Sequence, residues 1–290
     1  MESKDWLLLG LSACGRAASL NYFDDGHRAG AILAGHYLCK DNQAEAGARD
    51  YVLNKITGTW AKTDLCRNFS SEASDSGLTE SILQALALQI AEFREVGHHV
   101  ILGALALKAF RDLPEALTPA RAQGLCRLLT SFKMDWSGTR ALKEFPGPLP
   151  TDIPSVVDLR RFSEFTLVEF LKAVELSKGR GQGGSAHLCS HAYSLVTLVS
   201  LGFPELAAKG LPVFAEFIRL LRLPRRGGFD YPEHEPTPWT PLQAAYWPSR
   251  SLDWELGHGL DYPYGFYGLL AQAGDAGLKK ACLAEAFRVL

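Results

Sequence analysis

Apolar positions recur along most of the chain at steps of three and four, the period of a helix with one buried face. Runs of alternating Val, Ile or Thr that would mark strands are scarce, while Ala and Leu abound. The pattern predicts helices at about 4–19, 27–40, 43–56, 78–95, 98–111, 118–133, 161–178, 186–202, 204–222, 240–247, 261–273 and 276–289. Asp24-Asp25-Gly26 and Gly97 break the chain before apolar runs, and Thr118-Pro119 sets a proline at a first helical position. Gly202-Phe203-Pro204 and Ala273-Gly274 are so short that the helices they join are expected to be antiparallel neighbours. The expected fold class is all-α, a single domain over residues 1–290 built from antiparallel helical hairpins.

Two stretches resist the helical period. Residues 147–157 (GPLPTDIPSVV) form a proline-rich connection. Residues 223–257 hold six prolines, Trp239, Tyr246, Trp247 and Trp254, and the run Arg225-Arg226-Gly227-Gly228. A loop this long and aromatic is expected to pack over something, as a lid on a cavity. The glycine-rich residues 178–185 (KGRGQGGS) lack the preceding strand and the Gly-Lys-Ser/Thr ending of a phosphate loop.

Four histidines each lead into an apolar run: His27, His98, His187 and His258, separated by 71, 89 and 71 residues. Four helices that each deliver one imidazole to a shared interior would line a cavity and make a metal site. His187 shares its stripe with Ser190, His191 and Ser194, so that face is expected to meet a wet or ligand-filled cavity. His98 has Ile101, Leu102 and Leu105 on its face and must find its partner on another element, a water or a metal. His99 points elsewhere, as a supporting or capping group. For His27 the plain account is an ion pair with Asp24 and Asp25 at a helix start. His36 reads as a packed core residue, and His234, in Pro232-Glu233-His234-Glu235-Pro236, as solvent-facing. Asp261 follows His258 by three residues, which suits either a metal ligand or a helix N-cap. Imidazoles plus one carboxylate are the set that non-haem Fe(II) prefers, whereas structural zinc recruits cysteine.

Length and composition narrow the classes. The chain has 290 residues, ample for a large core, with 47% hydrophobic residues, 21% charged residues and a net charge of −2. No basic surplus suits nucleic acid, and no apolar run reaches the ~20 residues of a membrane span. Six cysteines without a Cys-x-x-Cys pair read as reduced, buried thiols, which points to a cytoplasmic protein. The segment WLLLGLSACG (residues 6–15) looks like a bacterial lipoprotein attachment box, making an anchor at Cys14 the alternative. The acids of the preceding MESKD and the short apolar stretch suit an ordinary first helix instead.

Asp25-Gly26-His27, Gly97-His98-His99-Val100-Ile101-Leu102-Gly103, His187-Leu188-Cys189-Ser190-His191-Ala192 and His258-Gly259-Leu260-Asp261 occur in this order. In order and rough spacing they resemble the histidine motifs of the questin oxidase family of all-helical oxygenases, over most of the chain. This chain is shorter than typical members. The resemblance implies a mononuclear non-haem iron held by histidines, an oxygen-donating carboxylated lysine, and O₂-dependent ring opening of a polycyclic aromatic. Asp261 stands where that lysine would be and would supply the oxygen directly.

The combined expectation is an oxygenase with Fe(II) held by His27, His98, His187 and His258, and Asp261 as fifth ligand or support. His191, Tyr193 and Tyr262 would position or deprotonate a phenolic, polyketide-like substrate beside O₂. A zinc-type hydrolytic site and a non-catalytic helical scaffold are the alternatives.

Overall fold

The computed structural model describes residues 2–134, 143, 147–176, 183–222, 237–254, 257–288 and 290. Among the described residues there are twelve α-helices and no strand, so the chain is all-α. In order these are α1 (Ser3–Ala17), α2 (Asp24–Asp41), α3 (Ala46–Gly58), α4 (Leu78–Ala87), α5 (His98–Asp112) and α6 (Pro119–Ser131). There follow α7 (Leu159–Leu176), α8 (Gly183–Ser200), α9 (Pro204–Lys209), α10 (Leu211–Arg222), α11 (His258–Gln272) and α12 (Ala276–Glu285). Contacts group the chain into two compact units. The first is Met1–Gln89, His98–Phe132 and Trp239–Tyr264; the second is Ile90–Gly97, Lys133–Pro238 and Gly265–Leu290. The division falls inside α11.

In the first unit, α1 buries Trp6, Leu7, Leu11, Cys14 and Ala17, positions one helical turn apart along one face. That face meets α2, α5 and α6. Small residues set how close the helices come. A Cβ on Gly124 of α6 would stand 1.9 Å from the carbonyl oxygen of Gly15, so the α1 and α6 backbones touch there. A Cβ on Gly30 of α2 would stand 2.6 Å from Leu102 Cδ2, which lets α5 close onto α2. Trp6 Nε1 donates to the Ile32 carbonyl at 2.8 Å, satisfying its one polar atom inside the core.

The described part of the proline-rich loop is a wall of this unit. Glu45 N–H donates to the Leu242 carbonyl (2.9 Å), and Ala244 N–H donates to Glu45 Oε2 (3.0 Å). Tyr246 and Trp247 are buried, and Trp247 Nε1 donates to the Pro241 carbonyl at 3.0 Å. The helix expected over 240–247 is instead a 3-10 stretch, Ala244–Trp254, because Pro248 cannot join an α-helical ladder. The remainder of the expected lid, residues 223–236, 255 and 256, and His234 with it, lies outside the described residues.

The second unit packs α7 against α8, α10 and α12, and α8 against α9 and α10. Its core is aromatic: Phe162 meets Phe214 at 4.7 Å between ring centres, and Phe170 meets Phe266 at 5.6 Å. The one helix expected over 204–222 is divided at Gly210, where a side chain would strike Leu195 (2.7 Å). The helix expected over 78–95 stops at Ala87, and Ile90 and Phe93 are buried in the second unit, Phe93 against Phe217 (4.9 Å). Glu169 is buried and held by Arg222 (2.8 and 2.9 Å) and Lys172 (2.8 Å). All six cysteines are free thiols, five of them buried; Cys14 sits inside α1, its pKa pushed up to about 12 by burial. No helix among the described residues is long and apolar enough to cross a membrane.

Candidate metal centre

The histidine site starts with how α2 begins. Asn21 Oδ1 accepts from the N–H groups of Phe23 and Asp24, both at 3.2 Å, so the helix starts at Asp24. The expected break at Asp24-Asp25-Gly26 is absent for that reason. His27 is therefore one turn inside the helix, and its Nδ1 reaches the Phe23 carbonyl at 2.6 Å. A carbonyl only accepts, so Nδ1 carries the hydrogen. Burial lowers the His27 pKa below its ordinary value, with smaller opposing contributions from the Phe23 carbonyl and Asp24. The ring is therefore neutral near pH 7, with its lone pair on Nε2. That nitrogen is fully enclosed and makes no hydrogen bond among the described residues. Asp25 instead bonds Arg28 (2.9 Å) and the Asn21 N–H (3.2 Å), so the expected surface pair of His27 with Asp24 and Asp25 does not form.

His98 is set by strain. Glu95, Val96 and Gly97 all have positive φ (37°, 60° and 77°), and α5 starts immediately after them. A β-branched residue such as Val96 adopts this conformation only at a cost of about 1–2 kcal/mol. The turn is held by Glu95, whose N–H donates to the Lys133 carbonyl (3.1 Å) while its carboxylate accepts from the Lys133 N–H (3.0 Å). His99 Nε2 bonds the Gln89 carbonyl (3.0 Å), a tether for the start of α5. His258 is set similarly: Gly257 has φ +83°, and a Cβ there would lie 2.2 Å from Ala31 Cβ.

These elements bring His27, His98 and His258 together. Ring centres are 4.1 Å apart for His27–His98, 5.0 Å for His27–His258 and 6.5 Å for His98–His258. Their ligand atoms all lie within 4.8 Å of one another. Nitrogens sharing one ion through bonds of ~2.1 Å stand ~3.3–4.2 Å apart, so the set needs at most a small inward movement to close. The three imidazoles line a cavity of about 10 Å³ with Gly30, Ala31, Ile101, Leu102 and Asp261. That is room for an ion or about one water. Aromatic rings brace the set: Phe132 stacks on His98 (5.9 Å), and Tyr262 stacks on His258 (4.7 Å, 9° between planes).

Asp261 is inside α11, not at its N-cap. The helix begins at His258, and the Asp261 N–H already donates to the Gly257 carbonyl (3.3 Å). Asp261 thus stands in the first turn of the helix, 9% exposed on the cavity wall.

The remaining expected residues belong to the second unit. His187 is the fifth residue of α8, not its opening one, and is buried. Part of the polar stripe of α8 is closely packed: a Cβ on Gly265 would lie 2.6 Å from Ser190 Cα, and Ser194 Oγ donates to the Ser190 carbonyl (2.7 Å). Small side chains let the backbones meet. His191 is wholly buried against Gly97 and Phe217 (5.1 Å), and the Tyr193 ring fills the space left by Gly268. His36 is a core residue as expected, edge-on to Trp6 at 5.6 Å.

Sequence reasoning named two of the glycines that precede these histidines and missed Gly257. Three of the four histidines follow a glycine: Gly26-His27, Gly97-His98 and Gly257-His258. Two of those glycines have positive φ and admit no side chain. The fold and the site together define an all-α protein with a histidine-rich candidate metal centre. No family model matches the chain, and neither a curated protein nor a solved structure is significantly similar to it.

Proposed function

We propose that the chain holds one first-row divalent metal at His27, His98 and His258, with Asp261 as the oxygen ligand. The observation that carries this reading is His27: its Nδ1–H is clamped on a backbone carbonyl, and its bare Nε2 looks into a cavity shared with two more imidazoles and a carboxylate. A metal-binding histidine usually donates its other ring hydrogen in this way, which fixes both tautomer and ring angle. His187 is assigned as a fourth nitrogen from the recurrence of a histidine before an apolar run. Three or four imidazoles and one carboxylate without thiolate suit iron(II) better than structural zinc.

The activity we assign is oxidation of a small aromatic molecule by O₂, for which iron supplies oxygen activation at a position the protein leaves open. The chain's own residues orient and shield. Phe23, Phe132 and Tyr262 hold the imidazole planes, while Ile101, Leu102 and Ala31 exclude bulk water. A second reading, a zinc-activated water for hydrolysis, draws support from the size of the cavity, which holds a water more readily than an aromatic ring.

Elemental analysis of anaerobically purified protein tests the site, with oxygen uptake separating the two chemistries. About one iron per chain, lost in His98→Ala/His258→Ala and reduced in His187→Ala, is expected. Full metal in the double variant refutes the site, and stoichiometric zinc without oxygen uptake favours the hydrolytic reading.

A further inference from the structure

The first unit also carries a cleft of about 360 Å³ with a buried guanidinium in its wall. Arg121, the third residue of α6, is only 7% exposed. Its Nε donates to Ser12 Oγ (3.3 Å), and its Nη1 to the Ala116 carbonyl (3.4 Å) and Thr118 Oγ1 (3.3 Å). All three acceptors are neutral. Among the described residues, its guanidinium hydrogen bonds run from Nε and Nη1 to these three groups, and no carboxylate lies within ion-pair distance. The acid that most influences it, Glu72, is occupied elsewhere: Glu72 Oε2 accepts from the Ala120 N–H at 2.9 Å. Burial accordingly pulls the Arg121 pKa below its ordinary value.

A buried charge with only neutral partners is costly, and the usual compensation is a counter-ion. Here the open side of the guanidinium is the cleft, whose volume is that of a small-molecule pocket. The rest of the lining selects the kind of anion. Leu8, Phe69 and Leu113 make an apolar wall, and Phe69 lies 5.5 Å from the guanidinium carbon. Asp5, Glu72 and Glu115 also line the cleft, against Lys4 as the one further cation of the lining, so a dianion such as phosphate is repelled more than a single carboxylate. The planar guanidinium fork matches a carboxylate.

We propose that this cleft binds a small organic monocarboxylate with an apolar body, its carboxylate on Arg121 and its body against Phe69 and Leu8. The site is separate from the histidine cavity and stands whether or not a metal binds there. The test is titration of 4-fluorophenylacetate into the full chain, followed by ¹⁹F NMR, with 4-fluorophenylacetamide as the uncharged control.

Saturable binding of the acid at millimolar Kd or tighter is expected, with the amide at least about tenfold weaker. Arg121→Gln should weaken the acid by a similar factor. Because that substitution alters a buried residue, Ser70→Trp serves as the second variant: Ser70 is exposed on the cleft lining and is not a partner of Arg121, and an indole there is meant to occupy the cleft. Ser70→Trp should abolish binding with the fold retained by circular dichroism. No saturation by the parent, equal binding of the amide, or unchanged binding in Ser70→Trp overturns the proposal.

Discussion

Replacing His27 by leucine separates a metal ligand from an ordinary buried ring, because the two accounts disagree on which state loses stability. In the metal-free protein the enclosed Nε2 lacks a hydrogen bond, a defect worth about 1–3 kcal/mol that leucine removes. Against that stand the Nδ1 bond to the Phe23 carbonyl, about 1 kcal/mol, and ring contacts with Phe23 and His98 at 4.5 and 4.1 Å, about 1 kcal/mol more. The Phe23 carbonyl is not orphaned, since it still accepts the residue-27 N–H at 3.1 Å. These contributions nearly cancel, and His27→Leu should change metal-free stability by no more than about 1.5 kcal/mol. Metal changes the comparison. At an ion concentration one hundred times Kd, the parent gains about 2.7 kcal/mol, which for a chain of this size raises the Tm by about 5 °C. The variant should gain almost nothing. Anaerobic thermal melts with Fe(II), and with Co(II) as an air-stable probe, against EDTA-treated protein give all four numbers. An equal upward shift in parent and variant would remove His27 from the ligand set. A metal-free variant destabilised by more than about 3 kcal/mol would mean that the ring is a core element whose bare nitrogen costs little.

Three further outcomes are expected. Asp261→Asn should lower metal affinity at least about tenfold, read by competition with a chelating dye, while metal-free stability changes by less than about 1 kcal/mol; unchanged affinity would leave the carboxylate without a ligand role. His36→Gln tests a buried base: burial first, then Lys40, lowers the His36 pKa from 6.5 to about 4. The unfolded chain takes up this proton below about pH 6.5 and the folded chain only near 4, so the parent loses up to about 3 kcal/mol across that window as pH falls. Urea unfolding at pH 7 and 4.5 should show the glutamine variant losing about 2–3 kcal/mol less than the parent; parallel losses would contradict the burial argument. Gly124→Ala places a methyl group 1.9 Å from the Gly15 carbonyl oxygen, a backbone atom that cannot step aside, and should cost about 3 kcal/mol or more by the same assay.

The helical class was legible because Ala and Leu repeat at helical spacing almost throughout, and the histidines were legible because each precedes an apolar run. What the pattern hid was decided by side chains acting on backbone or by contacts far away in sequence. The start of α2 depends on Asn21 Oδ1 accepting two N–H groups, which moves His27 from a helix end to one turn inside. That single turn is what lets Nδ1 reach the Phe23 carbonyl, so the most informative bond of the site rests on a capping residue that periodicity does not register. The turn before His98 was hidden for a different reason. Glu95 and Val96 carry no propensity for positive φ, and the paired bonds between Glu95 and Lys133, 38 residues on, help to hold them there. Along α8 the pattern likewise did not show that Ser190 lets α11 approach closely, because that contact depends on Gly265, 75 residues on.

These misses share a cause that bears on the metal reading itself. A histidine pattern in sequence reports which helices carry imidazoles but not their tautomer, and ligation depends on tautomer. At His27 the tautomer follows from a carbonyl, because an oxygen that can only accept forces the hydrogen onto Nδ1 and the lone pair onto Nε2. A neutral, pre-oriented donor enclosed in apolar surroundings is costly for a protein to keep unless something binds it. A core histidine such as His36 avoids that cost by meeting Ser3 Oγ at 3.4 Å and the edge of Trp6, whereas the Nε2 of His27 has no hydrogen bond and its ring shares a space the size of an ion with two other imidazoles and a carboxylate. The contrast between two buried histidines of one helix, α2, is what the proposed ligand role of His27 rests on.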